Sequence, residues 1–128
     1  MLDTAAIIAF VPTTKPDQAR RFYESTLGLE FVEQDSFALV FNANGVSVRV
    51  ANVSSEKNFT PAQFTILGWA VDSIDDSVRD LTDKGVVFER YRALEQDALG
   101  IWESPSGARV AWFKDPEGNI LSITEYYP

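Results

Sequence analysis

The side chains that could do chemistry in this chain form a restricted set. There is no His and no Cys. Without imidazole the usual protein metal ligand, Ser–His dyads and the common base near neutral pH are gone. Without a thiol, disulfides, thiolate zinc sites and cysteine nucleophiles go too. One cation stands out, Arg49 in Val46-Ser47-Val48-Arg49-Val50. Strand alternation there puts Ser47 and Arg49 on the face opposite the valines. An arginine so placed is either a bidentate anchor for a carboxylate or phosphate, or a surface residue paired with a neighbouring Glu. Ser122 and Thr124 alternate in the same way with Leu121 and Ile123. Their hydroxyls either orient a ligand or bond to neighbouring strand groups. Glu89, Glu95, Asp97 and Glu103 gather around residues 92–105. One of them pushed into apolar surroundings would become a base, whereas the common outcome is a solvated acidic surface.

The composition bounds the elements that must hold these residues. The 128 residues suit one domain. A hydrophobic fraction of 45% with 12% aromatics supplies a packed core. Eleven Lys plus Arg against 19 Asp plus Glu leave a formal charge of −8, which argues against nucleic acid as a partner. The N-terminus has no basic segment before its apolar run, Pro12 interrupts that run, and no stretch approaches a membrane span. The expectation is a cytoplasmic protein with no membrane partner.

An internal repeat organises the chain. Ile7 to Val11 reads as a buried strand. A helix opens at Pro16-Asp17, turns Ala19, Phe22, Tyr23 and Leu27 inward and Arg20, Arg21 and Glu24 to water, and ends at Gly28. Strands are expected at Leu29 to Glu33, Phe37 to Phe41 and Val46 to Val50, the last two joined through Asn42-Ala43-Asn44-Gly45. The second half repeats the order. It runs through a strand at Thr65 to Val71, a helix at Ser73 to Lys84 capped by Ser73, a strand at Val86 to Glu89, and a hairpin of Arg109 to Lys114 with Asn119 to Glu125. Gly28 matches Gly85, Phe31 matches Phe88, Phe41 matches Lys114, and Gly45 matches Gly118. Arg92 to Pro105 is an insertion expected to act as a lid or an extra strand, with Trp102 as a mobile stacking residue. Trp69 is expected to pack toward a helix, and Trp112 shares a face with Val110 and Lys114. Each half is a βαβββ unit whose single helix leaves one sheet face uncovered, and two such units edge to edge would make a cupped sheet with function in the cup.

The residues Phe22-Tyr23 with Leu27-Gly28-Leu29, then Trp69-Ala70-Val71-Asp72-Ser73-Ile74-Asp75, then Phe113-Lys114-Asp115-Pro116-Glu117-Gly118-Asn119, taken in this order, resemble the vicinal oxygen chelate superfamily: glyoxalase I, bleomycin-resistance proteins and extradiol dioxygenases. The resemblance implies an α+β fold in which two βαβββ modules, 1–55 and 60–128, form one domain with an open cupped mixed sheet. It also implies a homodimer. Enzymes of the family hold a divalent metal with one ligand on each of four strands, and residue by residue those positions fall on Ile8, Arg49, Ile66 and Ser122. Two aliphatics, a cation and a hydroxyl do not make a ligand set for a hard divalent cation.

The reading that follows is a metal-independent protein that takes a small organic ligand, aromatic or acidic, in the cup. Its walls would be Ile8, Phe10, Ser47, Arg49, Ile66, Gly68, Trp102, Trp112, Ser122 and Thr124. Arg49 is the evident source of positive charge for an anion, and Gly68 leaves room for a ligand or an aromatic neighbour. No metal and no cofactor are implied. The alternative is a lyase, isomerase or dioxygenase of the same superfamily with non-standard metal ligands or a carboxylate base, so catalysis stays open.

Overall fold

The computed structural model describes residues 1–127, and the chain divides into two compact units, 1–61 and 62–128. Each unit is a four-stranded mixed sheet with helix on one face, an α+β arrangement.

In the first unit, β1 (Ile8–Thr13) leads into helix α1 (Pro16–Arg20), with Pro16 in the first turn and Asp17 at the positive end of the helix dipole. The helix continues as a wider π turn over Arg21–Thr26, and Gly28 (φ +77°) ends it. Strands β2 (Glu30–Gln34), β3 (Ala38–Ala43) and β4 (Val46–Asn52) complete the sheet in the order β1-β4-β3-β2, with β1 parallel to β4. The β3–β4 turn is Asn44-Gly45 with φ +50° and +88°, the pair of left-handed residues a two-residue hairpin turn requires. The helix-covered face holds Val11, Leu39, Phe41, Val48 and Val50, all buried, packed against Ala19 and Tyr23. Tyr23 and Phe31 both touch Phe41, at ring centroid distances of 5.9 and 5.8 Å. Arg20 departs from the expectation of a water-facing residue. Its guanidinium lies 3.7 Å above the Phe31 ring, where cation–π attraction competes with hydration.

In the second unit, β5 (Thr65–Ala70) precedes α2 (Ile74–Asp83), and β6 (Trp102–Glu103), β7 (Arg109–Lys114) and β8 (Ile120–Glu125) follow. The sheet order is β5-β8-β7-β6, with β5 parallel to β8. Ser73 caps α2 by accepting from the Asp76 N–H, and the Glu125 carboxylate of β8 accepts from Ile74 N–H at 3.0 Å. The helix buries Ile74 and Val78 against a face formed by Ala111, Phe113, Leu121 and Ile123. Trp69, the register partner of Ile123, lies on this helix-covered face.

Two further expectations fail. Val86 to Glu89 forms no strand. Val86 N–H is drawn back to the end of the helix by Leu81 C=O, while the Gln96 side chain accepts from Tyr91 N–H and donates to Glu89 C=O. The backbone groups a strand would use are thereby taken, and one ladder bond remains, from Glu89 N–H to Trp112 C=O at 2.8 Å. The other failure is the pairing of Phe41 with Lys114. Phe41 faces Val48, and Phe113 faces Leu121, so Phe113 is the counterpart of Phe41. The second hairpin carries extra turn residues held by buried Asp115, whose carboxylate accepts from Glu117 N–H, Asn119 N–H and Asn119 Nδ2, and this shifts the landmark by one.

Candidate functional site

The face of each sheet opposite its helix carries most of the residues that the sequence singled out. In the first unit the register pairs Ile8 with Ser47 and Phe10 with Arg49, and pairs Arg49 with Val40 on its other side. Alternation therefore puts Ile8, Phe10, Val40, Ser47 and Arg49 on one face, away from the Val11–Val48–Val50 core. Ile8 is 53% and Phe10 62% exposed, and Arg49 is half-buried. Among the described residues the Arg49 guanidinium has no hydrogen bond and no ion pair. Its field adds only the smaller part of what holds the Asp35 carboxyl below its usual value. The larger part comes from the Phe37 and Ala38 N–H groups, at 2.8 and 3.0 Å.

In the second unit three rows cross the helix-free face. One runs Gly68, Ser122, Trp112, the next Ala70, Thr124, Val110, Trp102, and the third Thr65, Ile120, Lys114. Gly68 is glycine for space rather than for backbone freedom. A Cβ there would sit 2.6 Å from Ser122 Oγ, so the neighbour it accommodates is this hydroxyl and not an aromatic ring. The hydroxyls of Ser122 and Thr124 have no hydrogen-bond partner among the described residues, although Ser122 is only 9% exposed.

Ile66 falls outside these rows. A register break between Thr65 and Leu67 leaves it without a partner on β8, and Thr65 takes the place on the face. The Trp112 indole N–H donates to Thr65 Oγ1 at 3.1 Å, which fixes the ring. Trp102 packs against Trp112 with centroids 5.9 Å apart and planes 37° apart, and Tyr91 meets Trp112 edge-on at 5.5 Å. Burial first, and Glu89 second, push the Tyr91 phenol above its usual value, so it stays neutral. Tyr91 and Thr65 carry no signal in the sequence that marks them as members of this face, whereas Glu89, one of the acidic residues considered as a base, is here the ion-pair partner of Lys114. Lys114 was legible by alternation with Trp112, and it corrects the view of Arg49 as the one source of positive charge.

Trp102, expected as a mobile stacking residue in an insertion that forms either a lid or an extra strand, lies in a strand. It sits on β6 opposite Val110, and the loop before it is fixed by Asp97, whose Oδ1 accepts from Leu99 and Ile101 N–H at 2.9 Å each. Asp97 Oδ2 lies 3.9 Å from Arg109, which grips Asp75 bidentately at 2.7 and 3.1 Å and lies 3.9 Å from Glu125. The insertion is thus an added strand and a hydrogen-bonded loop. Its carboxylates are spoken for or in solvent. Asp97 serves the loop, Glu89 faces Lys114 at 3.5 Å, and Glu95 and Glu103 are exposed.

The four positions at which family enzymes hold a metal do not fit one. Ile8 and Ile66 have no lone pair, and Arg49 adds positive charge with donors only. Ser122 offers a single neutral oxygen, whereas hard cations are held by several carboxylate or carbonyl oxygens. Among the described residues no group of three or more acidic side chains is placed to bind a metal ion.

Comparison with known proteins agrees with this architecture. The family model of the Glyoxalase/Bleomycin resistance protein/Dioxygenase superfamily matches residues 4–123. A superfamily member from Sphaerobacter thermophilus DSM 20745 superposes with a TM-score of 0.75 at 24% identity, over 98% of this chain and 100% of that one. An antibiotic binding protein from Streptomyces sp. CB03234 gives 0.73 at 20% identity, over 99% of each chain. A lactoylglutathione lyase from Agrobacterium tumefaciens gives 0.73 at 16% identity, over 95% of this chain and 93% of that one. No curated protein matches. With its two mixed sheets, each helix-backed on one face, and a family match spanning nearly its whole length, the chain belongs to the glyoxalase/bleomycin resistance protein/dioxygenase superfamily.

Proposed function

We propose that this protein binds a small organic molecule on the helix-free faces of its sheets without a metal ion, its two modules working as one domain. The observation that carries the reading is Arg49. Arg49 is half-buried between its register partners Phe10 and Val40, and with no hydrogen bond or ion pair among the described residues its guanidinium keeps its donors for a ligand. Elsewhere the chain pairs its half-buried cations, as Arg109 with Asp75 and Arg20 with Glu24 show. The partnerless hydroxyls of Ser122 and Thr124 support the same use of the second face. So does the likeness in fold to an antibiotic binding protein. Exposed Ile8 and Phe10 on β1, an edge strand of its sheet, favour a homodimer, and the lack of a helix long and apolar enough to cross a membrane among the described residues suits a cytoplasmic place.

The test is a panel of aromatic and acidic metabolites and antibiotics, read by quenching of tryptophan fluorescence and confirmed by calorimetry. Arg49→Ala should weaken the ligands that score by ten- to a hundredfold, about 1.4–3 kcal/mol, the range for a lost hydrogen bond to a charged group. Unchanged affinity for every one of them would remove Arg49 from the site.

A further inference from the structure

We infer that the helix-free face of the second unit recognises a planar aromatic ring bearing an anionic group, with Trp112 as the stacking surface and Lys114 as the reader of the charge. This rests on the small-molecule reading above and names its ligand class.

Two strand-like pairs lie side by side. Trp112 and Lys114 are two residues apart on β7 and point the same way, and Glu89 and Tyr91 are two residues apart on the neighbouring segment. The Glu89 N–H bond to Trp112 C=O sets the two in register. Tyr91 then meets Trp112, and Glu89 meets Lys114 at 3.5 Å. Aromatic surface and ammonium are thus neighbours by construction. The Trp112 ring is held before any ligand arrives, by the bond of its N–H to Thr65 and by its ring contacts with Tyr91 and Trp102. Such preorganisation lowers the ordering cost of stacking.

The spacing limits the ligand. Two residues of strand separate the indole from the lysine stem, about 7 Å. An acid group attached directly, or through an atom or two, to one or two fused rings bridges that gap. The charge balance selects as well. With −8 on the chain, an anion is repelled at long range and needs a local cation. Glu89 is paired with Lys114 at 3.5 Å, so a ligand must displace it to gain the ammonium, and a neutral aromatic gains nothing there.

The probes are 2-naphthoate and its neutral isostere 2-naphthamide, titrated calorimetrically into the intact protein. Wild type should prefer the carboxylate by five- to tenfold. Lys114→Met should abolish the preference while leaving 2-naphthamide binding within twofold. Glu89→Gln should tighten 2-naphthoate severalfold with no effect on the amide. Lys114 and Glu89 are partly exposed, so both variants keep the core. A preference that survives Lys114→Met but vanishes in Arg49→Ala would overturn this inference and leave the small-molecule reading standing. Equal binding of the two probes to wild type would do the same. If neither probe binds, and the metabolite panel also yields nothing, both fall.

Discussion

Replacing Gly68 with Ala tests the geometry at the base of the aromatic face. The new Cβ would stand 2.6 Å from Ser122 Oγ and 3.3 Å from the Ser122 carbonyl oxygen. Contact at 3.4 Å or more is ordinary, so the first overlap is about 0.8 Å and the second about 0.1 Å. Overpacking of this kind costs about 1–3 kcal/mol. Against it, Gly68 has no positive φ, so Ala fits the backbone and restricts the unfolded chain, a gain of about 0.4–1 kcal/mol. The net expectation is destabilisation by about 0.5–2 kcal/mol, a fall of roughly 2–8 °C in Tm at this size. Ser122→Ala should be within about 0.5 kcal/mol of wild type, because its hydroxyl has no partner among the described residues to lose. In that background the 2.6 Å overlap is gone, and Gly68→Ala should become neutral or stabilising. Urea unfolding followed by tryptophan fluorescence of the four proteins gives the coupling energy, expected at about 1–2 kcal/mol. Additive effects, or an unaltered penalty in the Ser122→Ala background, would refute the claim that this hydroxyl is what the glycine makes room for.

Arg109 holds the Asp75 carboxyl below its usual value, through its hydrogen bonds above all. A depressed folded pKa contributes stability that is present above the unfolded value of about 3.9 and is lost as pH falls through the folded one. Asp75→Asn should therefore flatten the stability profile below about pH 4 and lower stability near neutrality, as read by urea midpoints from pH 2 to 7. Protein purified without chelator, analysed by mass spectrometry for Mn, Fe, Ni and Zn, should carry less than a tenth of an equivalent of each, and 1 mM of each ion should leave Tm unchanged within about 1 °C, because Ile8, Arg49, Ile66 and Ser122 offer no ligand set. Asp97→Ala removes both bonds that close the loop before Trp102, so it should lower stability by about 1–3 kcal/mol. It should also loosen Trp102 from Trp112, seen as a change in the near-ultraviolet circular dichroism of the tryptophans. A preserved spectrum would mean that β6 pairing alone holds Trp102.

Part of the fold is written in single residues. Ser73, Gly28, Gly85 and Asn44-Gly45 act through their own backbone requirements, so they mark helix ends and a turn wherever they occur. Period-two alternation likewise assigns Arg49, Ser122, Thr124, Trp112 and Lys114 to the faces they occupy, since side-chain direction in a strand is a local property. Ile66 escaped because a bulge breaks that local rule, and a bulge is made by the partner strand.

The order of elements, the repeat and the want of metal-ligating chemistry are properties of the chain as written, because they depend on residue types and on neighbours a few positions away. What tertiary structure alone decided is who meets whom at a distance. Gln96 unmakes a strand by occupying the carbonyl of Glu89, Arg109 ties three carboxylates from separate segments, and Tyr91 and Thr65 lock the Trp112 ring from 21 and 47 residues away. Such partners are chosen by packing and hydrogen-bond satisfaction once the sheet has closed, and nothing near them in the sequence marks them beforehand.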